Sequence, residues 1–130
     1  FVYNLALGYK FSGAVGDQAE LRQVEGPGPG AVTPIERIAK PGSYSELAQT
    51  LRTGDLLFVR RNNSNEVSHV VIWIGPIGQA PDGTPLVIDS HGEGVEDVRG
   101  ASIPSGIYLR PMREKSWYFR EASHALRILH

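Results

Sequence analysis

Two apolar runs dominate the hydrophobic pattern of the chain. Residues 56–59 (LLFV) and 67–74 (VSHVVIWI), the second rich in Val and Ile, are joined by the polar RRNNSNE, so they are expected to form two buried strands of a hairpin. A third run, LVID at 86–89, follows a loop rich in Gly and Pro, in which Asp82 and Gly83 suggest a tight turn. Weaker strand patterns cover 95–98, 107–109 and 125–129, for a total of about five or six strands in a mostly antiparallel sheet.

Helical signals lie mainly upstream of the hairpin. Val2, Leu5, Ala6 and Tyr9 recur at helical spacing and Gly8 is placed to end the run, which predicts the end of a helix at 1–9. A helix so short is marginal by itself, so its start is expected before Phe1. Asp17 is suited to cap a short helix, and 34–38 reads as a turn of helix. Ser43 is placed to cap a helix reaching Thr50, with Glu46 at the capping-box position and Leu47 facing inward. Between these signals, GPGPG at 26–30 can continue neither helix nor strand and marks an exposed loop. It is no domain boundary, because the segment before it is too short for its own core. The expectation is therefore one α+β domain over 1–130, with helices packed on a mostly antiparallel five- to six-stranded sheet.

Composition narrows this picture modestly. A chain of 130 residues with 41% hydrophobic content supports a single core. The formal net charge of -1 produces no global field for nucleic acid or an anionic membrane, and no apolar run is long enough to span a bilayer. With no cysteine in the sequence, disulfides and thiolate metal sites are excluded, while the redox compartment is left open. HGEG at 91–94 lacks the flanking spacing of a phosphate loop. No pattern specifies an oligomeric state.

The candidate chemistry lies on the strands. His69, an imidazole near the start of an otherwise apolar strand, is a candidate base. Asp89 and His91 close the next strand, and period-two alternation puts both on one face. If that strand pairs with the one carrying His69, the base and orienter of a nucleophilic triad come together, and only the nucleophile is missing. Ser68 cannot easily supply it, because it points to the face opposite His69. His69, Asp89 and His91 are also acceptable ligands for a zinc site with an open position, although no HExxH-like pair accompanies them. A non-catalytic binding domain is a further alternative. His124 and His130 have no motif around them. Trp117, Tyr118 and Phe119 read as packing of a long connection onto the core more readily than as a ligand-stacking platform.

LRTGDLLFV, followed by SHVVIWIG and then VIDS, resembles the core of the NlpC/P60 superfamily, papain-like cysteine peptidases of bacterial cell-wall peptides. In that family a GDL(V/L)F strand precedes an SHVGIY(I/L)G strand. FVYNLAL at 1–7 is similar to the family helix that follows an Asp-Cys-Ser-Gly motif. The resemblance implies a papain-like fold lacking its N-terminal part, with the catalytic cysteine expected just before Phe1. It implies hydrolysis of an amide in a peptidoglycan stem peptide, an extracytoplasmic (periplasmic or secreted) destination and no cofactor. Residue by residue, His69 matches the family's base. Asp89 matches the third position, where the family usually has His, and His91 is the fallback.

Overall fold

A computed structural model describes residues 14–61, 64–75, 83–91, 95–96, 102–103 and 106–129, with the backbone alone for 91, 95–96 and 102–103. The helix expected at 1–9 and the turn at Asp82 lie outside the described residues.

In chain order the elements are α1 (Val15–Gln18), β1 (Gln23–Glu25), β2 (Val32–Pro34), β3 (Glu36–Ala39), α2 (Tyr44–Thr50), β4 (Leu56–Arg60) and β5 (Val67–Gly75). There follow β6 (Leu86–His91), β7 (Val95–Glu96), β8 (Ser102–Ile103), β9 (Gly106–Pro111), α3 (Trp117–Arg120) and β10 (Ala122–Arg127). Six strands form one antiparallel sheet in the order β3-β10-β4-β5-β6-β9, and β1-β2 and β7-β8 form separate two-stranded ribbons. The molecule is thus α+β and mostly antiparallel. No described helix is long and apolar enough to cross a membrane.

Three local expectations are corrected. Asp17 does not cap α1: the helix starts at Val15 behind Ala14, which makes no side-chain cap, and Asp17 lies inside the first turn. Residues 34–38 are not helical. Pro34 ends β2 and Glu36 opens β3, whose residues pair with 124–127 of β10, so long-range pairing overrides the local helical signal. The last strand runs over Ala122–Arg127, a few residues before the expected 125–129, and a bulge follows Ala122. The Ser43 reading holds: its hydroxyl accepts a hydrogen bond from the Glu46 N–H at 3.2 Å, and Leu47 is buried.

The central strands are apolar without strict alternation because both faces of the sheet are covered. Leu57, Val59, Val71, Trp73 and Val87 belong to one buried cluster together with Leu47 of α2 and Tyr118 of α3. Leu56, Phe58, Leu126 and Ile128 belong to the other, which includes Ala19 and Val24. A strand flanked by two cores gains from apolar residues at every position.

A buried ion pair fixes the turn that launches β4. Asp55, of the GDLLF sequence, accepts hydrogen bonds from the Arg52 N–H at 2.8 Å, from Arg127 Nη2 at 2.7 Å and from Arg127 Nε at 3.0 Å. The same guanidinium donates to the Thr50 carbonyl at 2.9 Å, so it ties α2, the turn and β10 together. The Trp73 N–H donates to the Asp55 carbonyl and the Gly54 N–H to the Trp73 carbonyl, each at 2.8 Å. These bonds lock the far end of β5, and with it the register that places His69.

Candidate functional site

His69 pairs with Val59 of β4 and shares the sheet face of Val71 and Trp73. Beyond it, β5 and β6 pair through Ile72↔Ile88 and Trp73↔Val87, which puts Asp89 one step past the last of these pairs toward His69. Asp89 alternates with Val87, so its side chain points into the same cluster. It approaches the imidazole diagonally across the two strands, a separation long side chains can bridge.

The contact is made: His69 Nε2 and Asp89 Oδ1 are hydrogen-bonded. Asp89 is almost wholly buried, whereas the His69 side chain keeps 23% of its surface exposed. The second carboxylate oxygen accepts a hydrogen bond from the Tyr118 hydroxyl, delivered by α3. Arg110 of β9, opposite Val87, places Nη1 3.6 Å from that same oxygen. One buried carboxylate therefore holds an imidazole on one side and a phenol and a guanidinium on the other.

The electrostatics follow from these partners. Burial by itself pushes the Asp89 carboxyl up, but the hydrogen bonds from His69 and Tyr118 and the charges of His69 and Arg110 outweigh it and hold the group below its usual range. Burial, then the bond to Asp89, raises the Tyr118 phenol well above its ordinary value, so it remains a donor at any physiological pH. With Asp89 ionised, the proton between it and the ring belongs to His69 Nε2. The other ring nitrogen, Nδ1, makes no hydrogen bond among the described residues and is the atom left for proton exchange.

Aromatic rings wall the imidazole. Trp117 lies with its centroid 5.7 Å from the His69 ring, and Tyr118 stacks on it at 6.3 Å and 22°. Such walls exclude water from one side of the ring and strengthen its polar contacts.

The two residues matched most directly, His69 and Asp89, are thus brought together. His91 pairs through its backbone with Gly106, while its side chain lies outside the described residues. Among the described residues no three His, Asp or Glu side chains are grouped to hold a metal ion. Ser68 alternates with His69 along β5 and takes no part in the cluster. His124 is structural: its Nε2 lies 2.7 Å from the Ala19 carbonyl, its Nδ1 2.8 Å from Ser123 Oγ, and its ring stacks on Phe58.

Tyr118 and Arg110 escaped the sequence reading as members of the site. The WYF cluster was visible as aromatic, but nothing local distinguishes a phenol aimed at Asp89 from one filling the core. Arg110 belongs to a strand whose pairing with β6 alone gives it meaning. No family model, curated protein or solved structure matches the chain.

Proposed function

We propose that this is an NlpC/P60-type, papain-like domain and that it supplies the base-bearing part of a cysteine-dependent hydrolase, an endopeptidase or amidase of peptidoglycan stem peptides working outside the cytoplasm. The observation that carries the reading is the His69–Asp89 pair: a buried carboxylate engages Nε2 and leaves Nδ1 as the base nitrogen, next to the motif residues that resemble the family. The chain itself contains no cysteine, so the nucleophile in this reading precedes Phe1.

In the reaction, His69 Nδ1 takes the thiol proton and the thiolate attacks the scissile carbonyl carbon. The imidazolium, steadied by the Asp89 carboxylate, returns that proton to the departing amine, which leaves a thioester. The neutral ring then takes a proton from water as its oxygen attacks the thioester carbon, and passes it to the released thiol. Asp89 stays ionised throughout and holds the ring orientation.

The test uses the parent reading frame, including the residues upstream of Phe1, with stem peptides as substrates. His69→Ala is expected to abolish turnover with an unchanged circular-dichroism spectrum, and unchanged activity would remove the mechanism. Asp89→Ala and His91→Ala, measured side by side, identify the orienting residue by the larger loss, and the geometry predicts Asp89. A parent that binds stem peptides without cleaving them would be a binding domain.

A further inference from the structure

The Asp89 carboxylate is a two-ended connector. Its first oxygen holds the His69 ring, and its second is held by a phenol that comes from a helix 29 residues further along the chain. We propose that Tyr118 is a positioning residue of this site: by anchoring the second oxygen, its hydroxyl fixes Asp89 so that His69 keeps its proton on Nε2 and presents a bare Nδ1.

The argument rests on what the carboxylate would do without that anchor. Asp89 is about as deeply buried as any residue of the core, at 2% exposure. Among the described residues three groups face it: His69 from β5, Tyr118 from α3 and Arg110 from β9. At 3.6 Å, Arg110 Nη1 offers charge but no close hydrogen bond to the second oxygen. The phenol is the neutral donor that satisfies it.

If the hydroxyl is removed, two things change. The carboxylate can turn about its Cβ–Cγ bond, which loosens its aim at Nε2. Burial is then opposed by His69 and Arg110 without the phenol, which shifts the balance toward the protonated acid. A protonated Asp89 can donate to Nε2, and the ring then carries its own proton on Nδ1, where it cannot act as the base. The tyrosine thus acts through two intervening groups, and its contribution is to hold a tautomer.

A purely structural Tyr118 makes a different prediction. Its ring is part of the buried cluster and packs against His69 and Trp117. Tyr118→Phe retains that ring, so a packing role would alter stability slightly and leave the tautomer unchanged.

The experiment is nitrogen-15 NMR of the His69 ring, which distinguishes a protonated from a bare ring nitrogen and needs neither substrate nor nucleophile. In the neutral ring of the unsubstituted protein, Nε2 is expected to be protonated and Nδ1 bare. In Tyr118→Phe the Nδ1–H form should rise to a share comparable with the other. Nδ1–H in the unsubstituted protein would overturn the proposal whether or not the variant folds, and so would a Tyr118→Phe protein that keeps the Nε2–H pattern intact.

The kinetic consequence rests on the hydrolase reading. General-base catalysis is worth roughly 10²–10⁴-fold, and a mixture in which only about half the molecules hold the competent tautomer forfeits about 2-fold of it, in kcat rather than KM, with the acid limb of the kcat profile moved to higher pH. An inactive parent protein would refute the hydrolase reading and leave the tautomer result standing. A Tyr118→Phe enzyme with unchanged kcat and pH profile would refute the positioning role.

Discussion

Arg127→Met is expected to be among the most damaging single changes in the scaffold that holds the site. Asp55 is 1% exposed and Arg127 5%, and the guanidinium supplies two of the bonds to that carboxylate at 3.0 Å or less. Methionine keeps much of the side-chain volume but leaves the buried Asp55 carboxyl with only the Arg52 N–H as partner among the described residues, and it also strips a donor from the Thr50 carbonyl. Breaking a buried pair from one side costs about 3–5 kcal/mol, set against a total stability of roughly 5–15 kcal/mol for a domain. At about 4 °C per kcal/mol for a chain of this size, the melting temperature should fall by roughly 12–20 °C. Urea unfolding at pH 7, followed by the fluorescence of the buried Trp73, reads the change as a lower midpoint at constant slope. Arg61→Met is the control: the Arg61–Glu66 pair spans 3.8 Å with both side chains more than 60% exposed, and its loss should cost less than about 1 kcal/mol. Adding Asp55→Asn to Arg127→Met removes the stranded charge, keeps an acceptor for Arg52, and should recover a substantial part of the loss. If Arg127→Met cost no more than the control, the claim that this pair fixes the turn before β4 would fail.

Stability should also depend on pH through His124. Burial lowers its pKa, and the repulsion of Arg37 and Arg60 adds to that, against the raising effects of the Ala19 carbonyl and Glu20. The folded state therefore prefers the neutral ring, so its contribution is complete above the unfolded value of about 6.5 and is lost as pH falls from there through the lower folded value. Urea midpoints at pH 7.5 and 5.5 should differ in that sense, and His124→Gln should flatten the difference; a slope unchanged in the variant would assign it to other groups. Ser43→Ala removes the hydroxyl that caps α2 and should cost about 1 kcal/mol in the same assay, whereas a neutral result would mean solvent serves the Glu46 N–H equally well. Gly75→Ala places a Cβ 2.8 Å from Trp73 Nε1 at a φ of +73°, and because that indole is buried and cannot swing away, a loss of about 1–3 kcal/mol is expected. An alanine variant as stable as the parent would show that the β5 end is looser than its contacts imply.

The features legible in the sequence are those whose causes are local. Ser43 and Glu46 specify the start of α2 within one turn of chain, and the apolar runs specify β4, β5 and β6 nearly to their ends. Period-two alternation is equally local, so it could put Asp89 on one face with Val87 and separate Ser68 from His69. The misread segment at 34–38 shows the limit. Its Pro and charged residues suit a helix opening, but Glu36–Ala39 forms the edge strand β3 because β10 has an unpaired side to fill.

The sequence by itself thus determined an α+β chain with a strand-borne imidazole and an acid on the following strand. Only the tertiary structure decided that they touch: the Ile72↔Ile88 register brings Asp89 to His69, and a one-residue slip would have turned it to the opposite face. Tertiary structure also decided that Arg110 and Tyr118 complete the carboxylate's surroundings, since each reaches it from an element placed by long-range pairing or packing. Local propensity acts between residues a few positions apart, whereas burial of a charged group is arranged by whichever distant segments the common core brings against it.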